Sequence, residues 1–185
     1  VIGLSYLTYE GKKISKSQKW GIFCDSLIKT NLNPDYWRFY LSYILPYNKD
    51  TDFKWEEFKN VINEELVNNV GNLTHRILSF INKYYGRKID WPVDNKSIEE
   101  IKRKLEEYFE LMDKGELNLG LRKILELSNY GNKVFQDNKP WENPEGSKKI
   151  VKSLVILLIT LYTMLYPFIP SSSEKFFRYI NYSDI

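Results

Sequence analysis

Apolar positions recur every three or four residues along most of this chain, which is the spacing that one buried helix face requires. The stripe is clearest in one segment, where it comprises Leu66, Val70, Leu73, Ile77, Phe80, Ile81 and Tyr84. Turn residues divide the rest, and predict helices over residues 22–28, 34–44, 53–86, 97–114, 116–135 and 147–166, with a short last helix from residue 171. Only residues 1–9 alternate with a period of two, which predicts a strand.

Residues that favour helix ends mark several of these boundaries. Asn33 followed by Pro34 is a strong helix start, since asparagine caps helices and proline fits the first helical position. Asp52 can cap the next helix, and Ser97 with Glu100 has the pattern of a capping box.

The predicted fold is therefore mainly α. A short strand and loop segment over residues 1–32 precedes an all-α bundle of about five helices over residues 33–185. The longest apolar run, residues 154–166, falls short of the roughly 20 residues that a membrane span needs. We expect a buried core helix there.

The composition is that of an ordinary folded protein, with 43% hydrophobic and 28% charged residues. The net charge is only +3, so any basic surface for nucleic acid must be local. Cys24 is the single cysteine, which excludes an internal disulfide and a zinc site built from several cysteines in this sequence. His75 is the single histidine, and we expect no metal site in this chain.

The most informative short motif is Lys13-Ile14-Ser15-Lys16-Ser17, on a loop after the predicted strand. Two ammonium groups, two hydroxyls and several backbone N–H groups on one loop can bind a polyphosphate whose charge grows as a bond breaks. Lysine and serine are also common on solvated loops, so composition alone favours an ordinary surface loop.

The order of these residues resembles the KMSKS loop of class I aminoacyl-tRNA synthetases, with Ile14 in the methionine position. The flanking residues 6–12 and 21–23 are similar to the archaeal and eukaryotic type of methionyl-tRNA synthetase. The resemblance implies a loop that binds ATP phosphates, with ATP and Mg²⁺ as cofactors of the complete enzyme.

The same resemblance implies a role for each residue of the loop. Lys13 and Lys16 would be the catalytic cations that stabilise the leaving pyrophosphate as adenylate forms. Ser15 and Ser17 would hold the loop and contribute hydrogen bonds, and Ile14 would pack it against its own domain.

A polar face on the third predicted helix is the second candidate site. Glu65, Asn69, Asn72, Arg76 and Lys83 follow one another at helical spacing. An amide offers a donor and an acceptor to a base edge, and a guanidinium offers a planar fork, so Asn72 and Arg76 could read unstacked RNA bases. Because every amphipathic helix needs a polar face, the pattern alone favours simple solvation.

This helix resembles the anticodon-binding helix of the same family, in which residues matching Asn72 and Arg76 contact the anticodon. Trp141, directly after Pro140, resembles the family's tryptophan that stacks on an anticodon base. Most tryptophans belong to a core, but the resemblance favours an exposed stacking surface here. It implies the CAU anticodon of methionine tRNA as the ligand.

The resemblance covers essentially the whole chain and implies the C-terminal part of a methionine–tRNA ligase. Its partners would be initiator and elongator methionine tRNAs and the catalytic Rossmann half, in the same chain or as a separate subunit. The family's HIGH motif, methionine pocket and zinc knuckle lie outside this sequence. We therefore expect the chain to be inactive alone, as a truncated or naturally divided enzyme, and to be cytoplasmic without a membrane partner.

Two alternatives remain open at this point. Synthetases for valine, leucine or isoleucine share the loop but usually follow it with Gly-Asn, where this chain has Gln18-Lys19-Trp20-Gly21. A non-catalytic module for tRNA binding or assembly could also retain the loop as a relic.

Overall fold

Helices make up most of the computed structural model, which describes residues 3–86 and 89–180. The elements are β1 (Leu7–Tyr9), β2 (Lys12–Lys13), α1 (Cys24–Leu27), α2 (Pro34–Tyr43), β3 (Thr51–Phe53), α3 (Trp55–Val61), a π-helical segment (Ile62–Gly71), α4 (Asn72–Tyr84), α5 (Asn95–Asp113), α6 (Leu117–Asn138), α7 (Lys148–Leu165) and α8 (Pro170–Tyr179). Single 3₁₀ turns follow α1 and precede α7. The prediction of a mainly α chain with a short strand and loop segment is confirmed.

A small three-stranded sheet joins the start of the chain to the segment before α3. Strand β1 pairs antiparallel with β2 and parallel with β3. The β1–β2 turn uses Glu10 and Gly11 with φ of 47° and 74°, a left-handed backbone that glycine adopts without strain. The strand predicted over residues 1–9 is shorter than expected, and residues 1 and 2 lie outside the described residues.

The prediction that Asp52 caps a helix is wrong, because residues 51–53 form β3 and α3 begins at Trp55. The Asp52 carboxylate instead accepts hydrogen bonds from the Thr8 hydroxyl at 2.7 Å and from the Gly11 N–H at 2.9 Å. Phe53 is buried and stacks on Trp37, with ring centroids 5.9 Å apart. Pairing and aromatic packing with distant residues therefore override the local helix signal.

Residues 55–84 form one continuous helical run with a π-helical middle. There the backbone N–H of Asn72 reaches the carbonyl of Val67, five residues back. The i→i+5 hydrogen bond widens the helical turn and so changes which side chains share a face. Asn69, predicted on the polar face, is buried instead and accepts a hydrogen bond from Asn132 at 3.2 Å.

The core lies where α4, α6 and α7 meet. Its most buried hydrophobic members in these three helices, each at most 1% exposed, are Leu73, Ile77, Leu121, Ile124, Leu127, Val151, Leu154, Leu157, Leu158, Leu161, Met164 and Leu165. Gly131 permits this approach, because a β-carbon there would lie 2.8 Å from Leu73 and 3.0 Å from Leu157. The expected burial of the apolar helix over residues 147–166 is confirmed in α7. Among residues 3–86 and 89–180, no helix is long and apolar enough to cross a membrane.

Asp35 links the start of α2 to the start of α8. Its buried carboxylate accepts hydrogen bonds from the backbone N–H groups of Ser172 at 2.7 Å and Ser171 at 3.3 Å. A carboxylate at a helix N-terminus satisfies free N–H groups and complements the helix dipole. The expected cap of α2 itself is confirmed, since Asn33 accepts from the Asp35 N–H at 3.0 Å.

The cap of α5 is Asp94, so the prediction of Ser97 as the capping residue is wrong. The Asp94 carboxylate accepts from the N–H and the hydroxyl of Ser97, at 2.8 and 2.7 Å. The Asp94 N–H is held by Ser153 of α7 at 2.8 Å, a tertiary contact that fixes the earlier start. The hydrogen bonds from Ser97 hold the pKa of Asp94 below its usual value.

Asp94→Ala is expected to lower the free energy of unfolding by about 1 kcal/mol at neutral pH, because the cap is lost. Since the pKa of Asp94 is lower in the folded than in the unfolded state, the carboxylate stabilises the fold above the unfolded pKa. That contribution is lost as the pH falls through the folded pKa. Urea unfolding at pH 7 and pH 3 measures the change. Asp94→Asn is the control, since it keeps an acceptor without a charge. Equal losses for alanine at both pH values would contradict the ionic cap.

Candidate functional site

Residues 13–17 begin in β2 and continue into an exposed turn. Lys13 pairs with Thr8 in the hairpin. Ser15 and Trp20 exchange two backbone hydrogen bonds of 2.8 and 2.9 Å, and the Lys19 N–H donates to the carbonyl of Lys16 at 3.1 Å. The strand and this closed turn therefore hold the loop in place by its backbone.

The turn carries two serine hydroxyls that contact one another and two lysine ammonium groups without an ion-pair partner among the described residues. The hydroxyls of Ser15 and Ser17 lie 3.2 Å apart, and the Gln18 N–H lies 3.4 Å from the Ser15 hydroxyl. Lys13 and Lys16 are exposed, and neither forms an ion pair within the part of the chain that the structure describes. Both ammonium groups are thus available to an anion.

Ile14 packs against Gly21 at the base of the turn. A β-carbon on Gly21 would lie 2.8 Å from Cγ2 of Ile14, and Gly21 has a φ of 139°, so a larger residue does not fit there. Trp20 anchors the same base, since its indole N–H donates to the Tyr9 carbonyl at 3.0 Å. Lys12 lies over the Trp20 ring at 5.1 Å. Ile14 itself remains 37% exposed, and this contact with Gly21 lies within the loop.

Arg76 and Trp141, predicted from separate motifs, meet around one buried ring. The guanidinium carbon of Arg76 lies 4.7 Å from the centroid of the Phe135 ring, within the range of a cation–π contact. Arg76 also donates a hydrogen bond to the side-chain carbonyl of Gln136 at 2.8 Å. The Trp141 ring lies 5.7 Å from the same Phe135 ring at an interplanar angle of 43°. The helix α4 and the loop after α6 therefore contribute to one surface.

A tight turn presents Trp141 at this surface. Helix α6 ends at Asn138, and Lys139 follows with a left-handed φ of 40°. The Glu142 N–H donates to the Lys139 carbonyl at 2.9 Å, and Pro140 is buried beneath. Trp141 remains 39% exposed. That exposure suits a stacking surface and does not suit a core residue.

Asn72 is exposed at the start of α4, one turn before Arg76. It lines a shallow depression with Val67, Asn68, Gly71 and His75. Within residues 3–86 and 89–180, no hydrogen bond or ring contact joins Asn72 to the Arg76–Phe135–Trp141 cluster. Its amide is therefore presented beside the cluster and separately from it.

Phe135 and Gln136 were not predicted as site residues, although both hold Arg76. Phe135 is 4% exposed and follows the apolar spacing of α6, so the sequence indicates only a core residue. Its contact with Arg76 joins positions 59 residues apart, for which one sequence carries no signal. The guanidinium of Arg76 meets only these two neutral partners among the described residues, so its positive charge is not neutralised.

Comparison with known proteins gives two family matches. The family described as "tRNA synthetases class I (M)" matches residues 1–78, and the family described as "Anticodon binding domain of methionyl tRNA ligase" matches residues 89–185. The two matches together include the loop, Asn72, Arg76 and Trp141.

Two curated relatives agree with these matches. The methionine–tRNA ligase of Nanoarchaeum equitans is 42% identical over 184 residues, covering 94% of this chain and 23% of the relative. The methionine–tRNA ligase of Borreliella burgdorferi is 38% identical over 175 residues, covering 92% of this chain and 24% of the relative. The chain thus spans less than a third of the length of either relative.

A solved structure agrees in fold. The chain superposes on "Mycobacterium tuberculosis methionyl-tRNA synthetase in complex with methionyl-adenylate" with a TM-score of 0.81, covering 91% of this chain and 36% of that one. The sequence identity is 22%, so this likeness concerns the fold alone.

Proposed function

This chain belongs to the methionyl-tRNA synthetase family, and from that premise we propose that it performs two tasks of a methionine–tRNA ligase. Its turn over residues 13–17 binds the phosphates of ATP, and its helical bundle reads the CAU anticodon of methionine tRNA. The family matches also argue against the alternative of a synthetase for valine, leucine or isoleucine.

The meeting of Arg76 and Trp141 around Phe135 carries the anticodon proposal. An unstacked base offers a flat face and a polar edge. Trp141 offers an exposed ring for the face, and Arg76 offers an uncompensated guanidinium for an edge or a phosphate. Asn72 adds an exposed amide one helical turn away. This combination of groups suits a short single-stranded loop better than a duplex.

The two exposed ammonium groups carry the phosphate proposal. Lys13 and Lys16 would bind the phosphates, while Ser15 and Ser17 keep the turn closed and contribute hydroxyls. ATP with Mg²⁺ would supply the adenylyl group that activates methionine in the complete enzyme, with pyrophosphate as the leaving group. The ammonium and hydroxyl groups of the turn are the donors that suit the phosphates of ATP.

The remaining partners follow from the same proposal. Initiator and elongator methionine tRNAs would both bind, because they share the CAU anticodon. A Rossmann half would complete the enzyme, since the relatives are about four times longer than their matched segments. We propose a division near residues 31–33 between the end of the catalytic part and the bundle, and a cytoplasmic setting.

Binding of tRNA tests the anticodon proposal. The ligase that carries this segment should bind a CAU transcript more tightly than the same transcript with another anticodon, by about tenfold, the scale of one lost base contact. Affinity for both should fall as salt rises, because phosphate contacts release counterions. Equal affinity for the two transcripts at every salt concentration would contradict the proposal.

A further inference from the structure

Phe135 is the one residue that contacts both of the proposed anticodon-reading side chains in the described structure. Its ring lies 4.7 Å from the guanidinium carbon of Arg76 and 5.7 Å from the Trp141 ring. On its buried side it meets Phe80 edge-on at 5.9 Å. One ring therefore joins α4, α6 and the loop that follows α6.

We propose that Phe135 is a positioning residue that fixes Arg76 and Trp141 relative to one another for anticodon reading. The inference rests on the proposed function and assigns a role to a residue that does not itself touch RNA. Phe135 is 4% exposed, whereas Trp141 is 39% exposed. The buried ring is thus the rigid member of the cluster, and the half-buried Arg76 and the exposed Trp141 take their geometry from it.

The contacts explain why Arg76 and Trp141 both need such a support. Arginine has a long flexible side chain, and holding it in one rotamer costs conformational entropy. The Phe135 face and the Gln136 carbonyl fix the guanidinium from two directions without a compensating negative charge. Trp141 sits on a turn at the surface, where its indole packs against the Phe135 ring in a tilted arrangement at 43°. A base arriving at this surface therefore meets groups that are already ordered.

This geometry predicts energetic coupling between Arg76 and Trp141 that depends on the Phe135 ring. We would measure the affinity of the complete ligase for CAU tRNA with Arg76→Ala, Trp141→Ala and the double variant. The fold loss of affinity in the double variant should be smaller than the product of the two single fold losses, by a factor of at least about three. This is the scale of coupling through a shared partner. In a Phe135→Leu background, the fold loss of affinity in the double variant should equal the product of the two single fold losses, because the shared ring is gone.

Three further variants separate positioning from general stability. Phe135→Tyr keeps the ring and should keep the coupling, whereas Phe135→Met fills a similar volume without a ring and should lose it. Phe176→Leu removes a similarly buried ring from α8 and should lower the melting temperature while leaving the coupling unchanged. The methionine variant serves in place of the leucine variant if the latter does not fold.

The possible outcomes distinguish this inference from the proposed function. Single variants that leave tRNA affinity unchanged would overturn the anticodon proposal itself. If both single variants weaken binding, and the double variant loses affinity by the product of the two single losses, only the role of Phe135 would be overturned. Coupling that persists in both Phe135→Leu and Phe135→Met would overturn it as well, since the coupling would then pass through the bound RNA.

Discussion

Lys16→Ala is expected to slow the activation of methionine by about 10²–10³-fold in the complete ligase, the usual cost of removing one electrostatic donor from a transition state. The Lys16 ammonium is exposed on the closed turn of residues 16–19 and has no ion-pair partner in the described residues. It would therefore act on charge that develops on pyrophosphate. Methionine-dependent exchange of pyrophosphate into ATP measures the rate.

Two observations would accompany this loss if Lys16 acts on pyrophosphate. The affinity for tRNA should change little, because the turn and the Arg76–Phe135–Trp141 cluster belong to different parts of the fold. Lys29→Ala, which removes an exposed lysine outside the loop, should leave the exchange rate unchanged. Exchange at the wild-type rate in Lys16→Ala would place Lys16 on an ordinary surface loop and favour a tRNA-binding module that keeps the loop as a relic.

Trp141→Ala is expected to weaken the binding of CAU tRNA by about 1–3 kcal/mol, the value of one base stacked on an aromatic ring. Because Trp141 is 39% exposed, the melting temperature should stay nearly unchanged. A core tryptophan would instead lose about 3–5 kcal/mol of folding stability. Trp141→Phe should retain part of the affinity, since a ring face remains. Filter binding and thermal melting on the same samples measure both quantities.

Matched variants make this expectation sharper. Trp55 is 38% exposed but belongs to the aromatic cluster beside the small sheet, so Trp55→Ala should leave the anticodon preference intact. Asn72→Ala and Arg76→Ala should both reduce discrimination between CAU and other anticodons, since both side chains project from α4. A large loss of melting temperature with preserved anticodon preference in these variants would mean that packing was mistaken for recognition.

Local signals predicted much of the fold. The Asn33 cap depends on a contact two residues away and was found as expected. The long apolar run could only be buried, and α7 is the most apolar helix of the core. Strand β3 was missed because its partner β1 lies 44 residues earlier in the chain. The cap of α5 was misplaced because both Asp94 and Ser97 are good capping residues, and only the contact with Ser153 distinguishes them.

The sequence predicts those parts of the candidate site whose residues are contiguous or one helical turn apart. It does not predict the parts that depend on contacts between distant residues. The turn over residues 13–17 is a contiguous motif, and Asn72 and Arg76 are one helical turn apart. The role of Asp35 at the start of α8 and that of Phe135 beneath Arg76 depend on residues far away in the chain. The buried Asn69 lies within the π-helical segment, whose wider turn the regular helical spacing does not predict.

Aminoacylation by the complete ligase tests the division of tasks most directly, with kcat/KM measured for methionine tRNA carrying CAU and for the same tRNA carrying another anticodon. Lys16→Ala should lower kcat/KM for both tRNAs by the same factor and leave their ratio unchanged. Trp141→Ala should lower the ratio itself while methionine-dependent pyrophosphate exchange continues at the wild-type rate. An unchanged ratio in Trp141→Ala, or a changed ratio in Lys16→Ala, would contradict the assignment of one task to the turn and the other to the bundle.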